Sequence, residues 1–193
     1  MADSRGVFDL GVEMPDVLVL DTSAISVMLF EDQETHPDYT AFLARAVAEN
    51  TVLVYCELLD LELAQVCMKE ARRLHSGRRD RFVPAGRALI RETFARWRAL
   101  YSATDSHRIP IGVPAHHDIV GSSVRDAAFR LIDLYGIDSY DATHAATAVL
   151  HAAPLLCADT GFAHLPEGLP TLITDSGLAT KCRAIRAGAT GPV

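Results

Sequence analysis

The chain has 193 residues, 49% hydrophobic and 22% charged, a balance that excludes a disordered segment and suffices for one domain with a sizeable core. No apolar run approaches the roughly 18 residues that a bilayer span requires, and the start, MADSRGVFDLG, lacks the basic and apolar pattern of a secretory leader. The formal net charge of -7 argues against nucleic acid as a partner, but residues 71–100 hold nine arginines (72, 73, 78, 79, 81, 87, 91, 96 and 98) against Asp80 and Glu92, a +7 segment on a -14 body. Such a localised basic footprint is what an approaching polyanion meets.

In chain order, VLVL (17–20) is a short β-branched run of the kind buried on both faces of a parallel sheet. Ser23 to Phe30 reads as a short helix, ended by the polar EDQETHP. Asp38 is placed to cap a second helix through Ala48, with Phe42, Ala46 and Val47 on its inner face. TVLVY (51–55) reads as the second strand, followed by a long helix from Glu57 to about Leu74. HSGRRDRFVP breaks that pattern, and an Arg-rich helix follows from Ala85 to Ala103. RIPIGVP (108–114) is apolar, but its two prolines suit only a poor strand at or near a sheet edge. Ile119 to Tyr135 is helical, with Val120, Val124, Phe129, Ile132 and Leu134 as apolar positions and Gly136 as C-cap. Asp138 opens the next helix, DSYDATHAATAVLHA. PLLCAD (154–159) and PTLIT (170–174) are the last strands, and the Gly- and Thr-containing tail is expected to fray. Strands alternating with helices imply one α/β domain with a mostly parallel sheet.

Four acids stand out against this frame. Asp21 and Asp159 each end an apolar strand, where open α/β sheets place their ligands. Asp141 falls in the first turn of a helix, and Glu62 lies within one, with Leu58, Leu59 and Val66 at −4, −3 and +4. Carboxylates gathered in this way repel one another unless a cation sits among them. A hard divalent ion, Mg²⁺ above all, is the natural partner for oxygen ligands beside a phosphate. Each acid also has a plainer role open to it. Asp21 could cap the following helix, Asp141 could serve the helix dipole or a capping box with Asp138, and Asp159 could belong to a turn before Gly161. Glu57 and Asp60 compete with Glu62. We assign the cap to Asp138 and the ligand role to Asp141.

VLVLDTSAI, LELAQV, SYDATHAATA and CADTGFAHLP, in this order, resemble the PIN domain, and within it the VapC-type ribonuclease toxins of toxin–antitoxin pairs. The resemblance covers roughly residues 17–175 and falls residue by residue on Asp21, Glu62, Asp141 and Asp159. It implies a three-layer α/β/α fold with a mostly parallel central sheet. The domain layout is then one nuclease domain over 1–193, its core at about 17–175 and an Arg-rich helical insertion at about 70–105. It also implies hydrolysis of RNA dependent on Mg²⁺ (or Mn²⁺), leaving a 5′-phosphate, with the four acids catalytic and metal-binding. Homodimers and a cognate antitoxin are implied as partners, with no membrane. Cys157 departs from the pattern, standing where Thr or Ser is common, which weakens the support expected behind the metal.

Ser23 is expected to support Asp21 or a metal-bound water, or only to cap its helix. Arg72, Arg73, Arg78, Arg79 and Arg81 are the candidate RNA contacts, with antitoxin binding or a solvated face as the competing roles. His144 and His151 share a helix face and are read as structural, and His116–His117 lacks the partners of a zinc site. The cysteines at 56, 67, 157 and 182 form no CxxC pair and suggest reduced thiols in a cytoplasmic protein. The absence of GxGxxG, GxxxxGK[ST] and GxSxG motifs removes dinucleotide, P-loop and serine-hydrolase readings. The surviving alternative is a non-catalytic PIN-like module that binds RNA or protein.

Overall fold

The structure, a computed structural model, describes residues 6–111, 123–166 and 168–189. Among them six short strands run parallel in one sheet: β1 (Val7–Asp9), β2 (Val17–Leu20), β3 (Val52–Cys56), β4 (Ser106–Ile109), β5 (Leu155–Leu156) and β6 (Leu172–Thr174). Their spatial order is β1-β6-β5-β2-β3-β4. The helices are α1 (Thr22–Leu29), α2 (His36–Ala48), α3 (Leu58–Leu74), α4 (Arg79–Ser102), α5 (Val124–Tyr135), α6 (Ser139–Leu150) and α7 (Ser176–Ala189), with a 3-10 turn at Gly161–His164.

Strand alternation sorts the side chains into two cores. Leu18, Leu20, Leu53, Tyr55, Leu156 and Ile173 face α1 to α4, while Val19, Val54, Cys56, Leu155 and Leu172 face α5 to α7. The result is the expected three-layer α/β/α arrangement, with the short apolar strands buried on both faces. The chain leaves β2 toward β3 on one side and β5 toward β6 on the other, so β2 and β5 flank a switch in strand order. The crevice outside their carboxyl ends is where such sheets bind ligands.

Several elements differ from the sequence expectations. Helix α2 begins at His36, with Pro37 setting the first turn, so Asp38 lies inside that turn and is not the cap. Its buried ladder is Tyr39, Phe42, Leu43 and Ala46, whereas Val47 is exposed. Helix α4 starts at Arg79 rather than Ala85 and carries Pro84 inside it. In α5 the buried positions are Val124, Ala128 and Leu131, while Phe129 and Leu134 are 63% and 67% exposed, so the apolar stripe is rotated from the expected one. The start expected for this helix, with Val120, lies outside the described residues, as does His116–His117. Within them a capping box between Ser123 and Asp126 opens α5, and Gly136 closes it at φ 63°. β4 is an edge strand, as expected for the 108–114 segment, but it spans Ser106–Ile109, ends before Pro110 and shares only Arg108 and Ile109 with that segment. Of PLLCAD only Leu155–Leu156 joins the ladder.

Two elements are additional to those read from the sequence. β1 pairs with β6 through Val7, Phe8 and Asp9. Of the tail expected to fray, Ser176–Ala189 form helix α7, and residues 190–193 lie outside the described residues. Arg183 of α7 donates twice to the Val7 carbonyl, and the buried Arg186 donates to the Gly6 and Pro170 carbonyls. These charged hydrogen bonds tie α7 to the outer strands of the sheet.

Candidate active site

Asp21 follows β2 directly, and its backbone N–H donates to the Leu156 carbonyl of β5. Its side chain caps α1 by accepting from the Ser23 N–H at 2.9 Å, so the capping role and a place in the crevice coexist. The Ser23 hydroxyl also donates to Asp21 Oδ2, and it accepts from the Ala158 N–H at 2.8 Å. One serine thus joins the acid after β2 to the segment after β5.

Asp138 caps α6 through the Tyr140 N–H, as assigned, which leaves Asp141 in the first turn free of that duty. Asp159 closes a tight turn by accepting from the Gly161 N–H at 2.9 Å. The turn brings Gly161 against Asp141: a Cβ at position 161 would lie 2.4 Å from Asp141 Oδ2 and 3.2 Å from Asp159 Oδ1. On α3, Glu62 reaches the same crevice through His144 of α6, whose Nε2 stands 3.1 Å from Glu62 Oε2 and 3.6 Å from Asp21 Oδ1. The rival acids are engaged elsewhere. Glu57 accepts from the Ile111 N–H at 3.1 Å, and Asp60 accepts from the Trp97 indole and faces Arg108.

The electrostatics express this convergence. Burial, then Asp159, Asp21, Asp138 and Glu62, push the Asp141 carboxyl up to about 7. Asp21 is also raised, first by burial and then by Asp159 and Glu62, against the lowering pull of His144 and Ser23. Burial works to raise Glu62 as well, but the hydrogen bond with His144, the nearby Thr22 hydroxyl, and the charges of His144 and Lys69 hold it below its ordinary value. His144 shows the mirror image: burial alone would depress it, yet Glu62 and Asp21 lift it.

His144 is the residue that sequence reasoning set aside. Helix α6 is built of small residues, and Ala142, Thr143, Ala145, Ala146, Thr147 and Ala148 are all buried. An imidazole in a helix buried on nearly every side, three residues after Asp141, must face polar partners. That was the available signal. Asp21, Glu62 and His144 each offer a ligand atom within 4.8 Å of the others. Asp141 and Asp159 add carboxylates from the Gly161 side, so the donor set is rich in oxygen and short of compensating charge, which suits a hard divalent cation.

The five arginines lie away from this centre, around the α3–α4 turn. Arg73 is exposed and paired with Glu70, Arg78 faces Asp80 at 3.5 Å, and Arg72 stacks on the Phe82 ring. Arg79 and Arg81 are exposed. On α3, Glu62, Val66, Lys69 and Arg73 recur at helical spacing along one face. A groove of about 550 Å³ follows that face from Ser23 past Lys69 to Arg73, with Val27, Phe30 and Leu89 in its walls.

The PIN domain family model matches residues 18–168 of the chain. Among curated proteins, none matches significantly. Similar solved structures include PAE2754 from Pyrobaculum aerophilum, 20% identical over 89% of this chain and 92% of that one, with a TM-score of 0.48. Another is VapBC2 from Rickettsia felis bound to a DNA fragment from their promoter, 14% identical over 82% of this chain and 97% of that one, with a TM-score of 0.51.

Proposed function

The chain belongs to the PIN domain family, and on that premise we propose that it is a divalent-metal-dependent endoribonuclease and the toxin of a toxin–antitoxin pair. The observation that carries this reading is the convergence of four carboxylates at the β2–β5 switch, strong enough to push Asp141 up to about 7. A scaffold that only binds has no physical need for acids that destabilise one another. The fold shared with VapBC2 supports a toxin's place beside an antitoxin. A homodimer and a cytoplasmic setting belong to the same reading, the latter supported by four buried free thiols.

Asp21, Asp141, Asp159 and Glu62 would hold one or two Mg²⁺ or Mn²⁺ ions. When bound, such a cation activates water and offsets charge on the phosphoryl group. The protein supplies the rest. Ser23 fixes Asp21, the Asp159 turn presents its carboxylate beside Asp141, and the half-open side of the crevice receives the phosphodiester. Water as nucleophile leaves the ribose 2′-hydroxyl without a chemical role, so preference for RNA rests on binding contacts. The α3 face from Lys69 to Arg73 leads a strand toward Glu62, with Arg73 about 16 Å along the helix axis at the helical rise. Arg72, Arg78, Arg79 and Arg81 extend the cationic approach.

Thermal melting with Mn²⁺ tests this reading. A cation that binds only the folded state stabilises it in proportion to the logarithm of its concentration over Kd. Mn²⁺ is expected to raise the melting temperature of the wild-type protein and to leave Asp141→Asn almost unmoved. A wild-type protein indifferent to both Mn²⁺ and Mg²⁺ would favour the binding-module alternative.

A further inference from the structure

Glu62 of α3 and the adjacent Asp21 and Thr22 at the start of α1 meet at the Nε2 atom of His144. The ring is fully buried, and Nε2 lies 3.1 Å from Glu62 Oε2, 3.4 Å from Thr22 Oγ1 and 3.6 Å from Asp21 Oδ1. Nδ1 is buried too, and it finds no hydrogen-bond partner among the described residues. The two ring nitrogens therefore face opposite circumstances. A neutral imidazole carries one N–H and one lone pair. With the proton on Nε2, the ring donates to a carboxylate. With the proton on Nδ1, a buried donor is left unpaired, and a bare lone pair at Nε2 faces two carboxylate oxygens. The first arrangement is the favoured one.

A metal-binding histidine needs the reverse. Its ligating nitrogen gives up its proton, and the other N–H donates to a carboxylate, carbonyl or water that fixes the ring. Nδ1 of His144 has no such acceptor among the described residues. We infer that His144 is a positioning residue: it donates from Nε2 to Glu62, holds that carboxylate toward Asp21, and is not itself a ligand of the cation. The inference rests on the proposed reading of the acids as a metal site. Its consequence is an all-oxygen ligand set, which favours Mg²⁺ and Mn²⁺ over metals that exploit imidazole, such as Zn²⁺.

The test uses the full chain loaded with Mn²⁺, read by electron paramagnetic resonance for coupling to histidine nitrogen and by titration for affinity. His144→Gln keeps an N–H donor near the position of Nε2, and His144→Leu keeps bulk without a donor. The expected wild-type spectrum shows Mn²⁺ with no directly coordinated histidine nitrogen. Affinity is expected to stay within about threefold in His144→Gln and to fall by about 10- to 100-fold in His144→Leu, the range for losing an outer hydrogen-bond partner of a ligand. A coordinated nitrogen in the wild type that vanishes in His144→Gln would overturn the inference, as would wild-type affinity in His144→Leu. If His144→Leu does not fold, the wild-type spectrum and the His144→Gln affinity decide. A wild-type protein that binds no Mn²⁺ at all would overturn the metal-nuclease reading along with this one, whereas a coordinated histidine nitrogen overturns this one alone.

Discussion

A methyl group on Gly161 would stand 2.4 Å from Oδ2 of Asp141, closer than carbon and oxygen approach without a bond. Gly161 therefore matters for space. It lets the turn that carries Asp159 settle against the first turn of α6. Gly161→Ala is expected to push the Asp141 carboxylate aside and weaken Mn²⁺ binding by at least about tenfold, equivalent to ~1.4 kcal/mol. The melting temperature of the metal-free protein should change little, since the substitution lies on a partly exposed turn. Calorimetric titration checks the first point and thermal melting the second, and unchanged Mn²⁺ affinity would contradict the proposed pairing of the two acids at one site.

The pH dependence of stability follows from the same acids. Asp141 titrates at about 7 in the folded protein against an ordinary value of 3.8. Between those values the folded state keeps a proton that the unfolded chain has released, so stability is highest at the acid end and is lost as pH rises through about 7. Asp21 is raised by burial and acts in the same sense. So does His144, which Glu62 and Asp21 lift although burial alone would depress it. Glu62 is lowered and acts only at more acid pH. Metal-free protein is expected to melt at a lower temperature at pH 8 than at pH 5.5, and Asp141→Asn should flatten that slope. A melting temperature that rises across this window would contradict the coupling among the acids.

The parts of the fold legible in the sequence are those whose local pattern and tertiary role agree. VLVL and TVLVY are apolar on both faces because both faces are covered, and Gly136 and Asp138 punctuate the chain with their own backbone chemistry. Asp21 is legible for the same reason, as an acid at the end of a buried strand. β1 is not, because three residues carry no period, and the strand exists through pairing with β6 at the far end of the chain. Nor is α7, where two glycines weaken the helical signal and arginines bonded to the Val7 and Pro170 carbonyls compensate. Pro84 signals a break that the structure absorbs within the second turn of α4. In α5, Phe129 and Leu134 resemble core residues because they are large, while the smaller Ala128 holds the inward position. His144 carries little signal because a lone histidine is most often structural, and its meeting with Glu62 depends on how α6 packs beside α3.

The arginine-rich turn makes a separate prediction about substrate binding. If Arg78, Arg79 and Arg81 neutralise phosphates, replacing all three with Gln should weaken RNA binding at low salt. It should also reduce the slope of log affinity against log salt by roughly 0.7 for each phosphate of a single strand that no longer meets an arginine. Mn²⁺ affinity should be unaffected. The measurement belongs on protein free of any antitoxin, because an acidic partner would compete for the same arginines. A wild-type slope in the triple variant would assign the turn to solvent or to a protein partner, and leave Lys69 and Arg73 as the cations of the RNA path.

The central claim, that the four carboxylates form a metal-dependent hydrolytic centre, is tested most directly by cleavage of a single-stranded RNA by wild-type protein and Asp141→Asn. The reaction is followed with Mn²⁺ and with a chelator, and the product ends are identified. The account predicts cleavage by the wild type only with metal, products bearing 5′-phosphates, and a rate at least about a hundredfold lower for Asp141→Asn, equivalent to ~2.7 kcal/mol of lost transition-state stabilisation. Cleavage that persists in the chelator, or that Asp141→Asn performs at the wild-type rate, would contradict it.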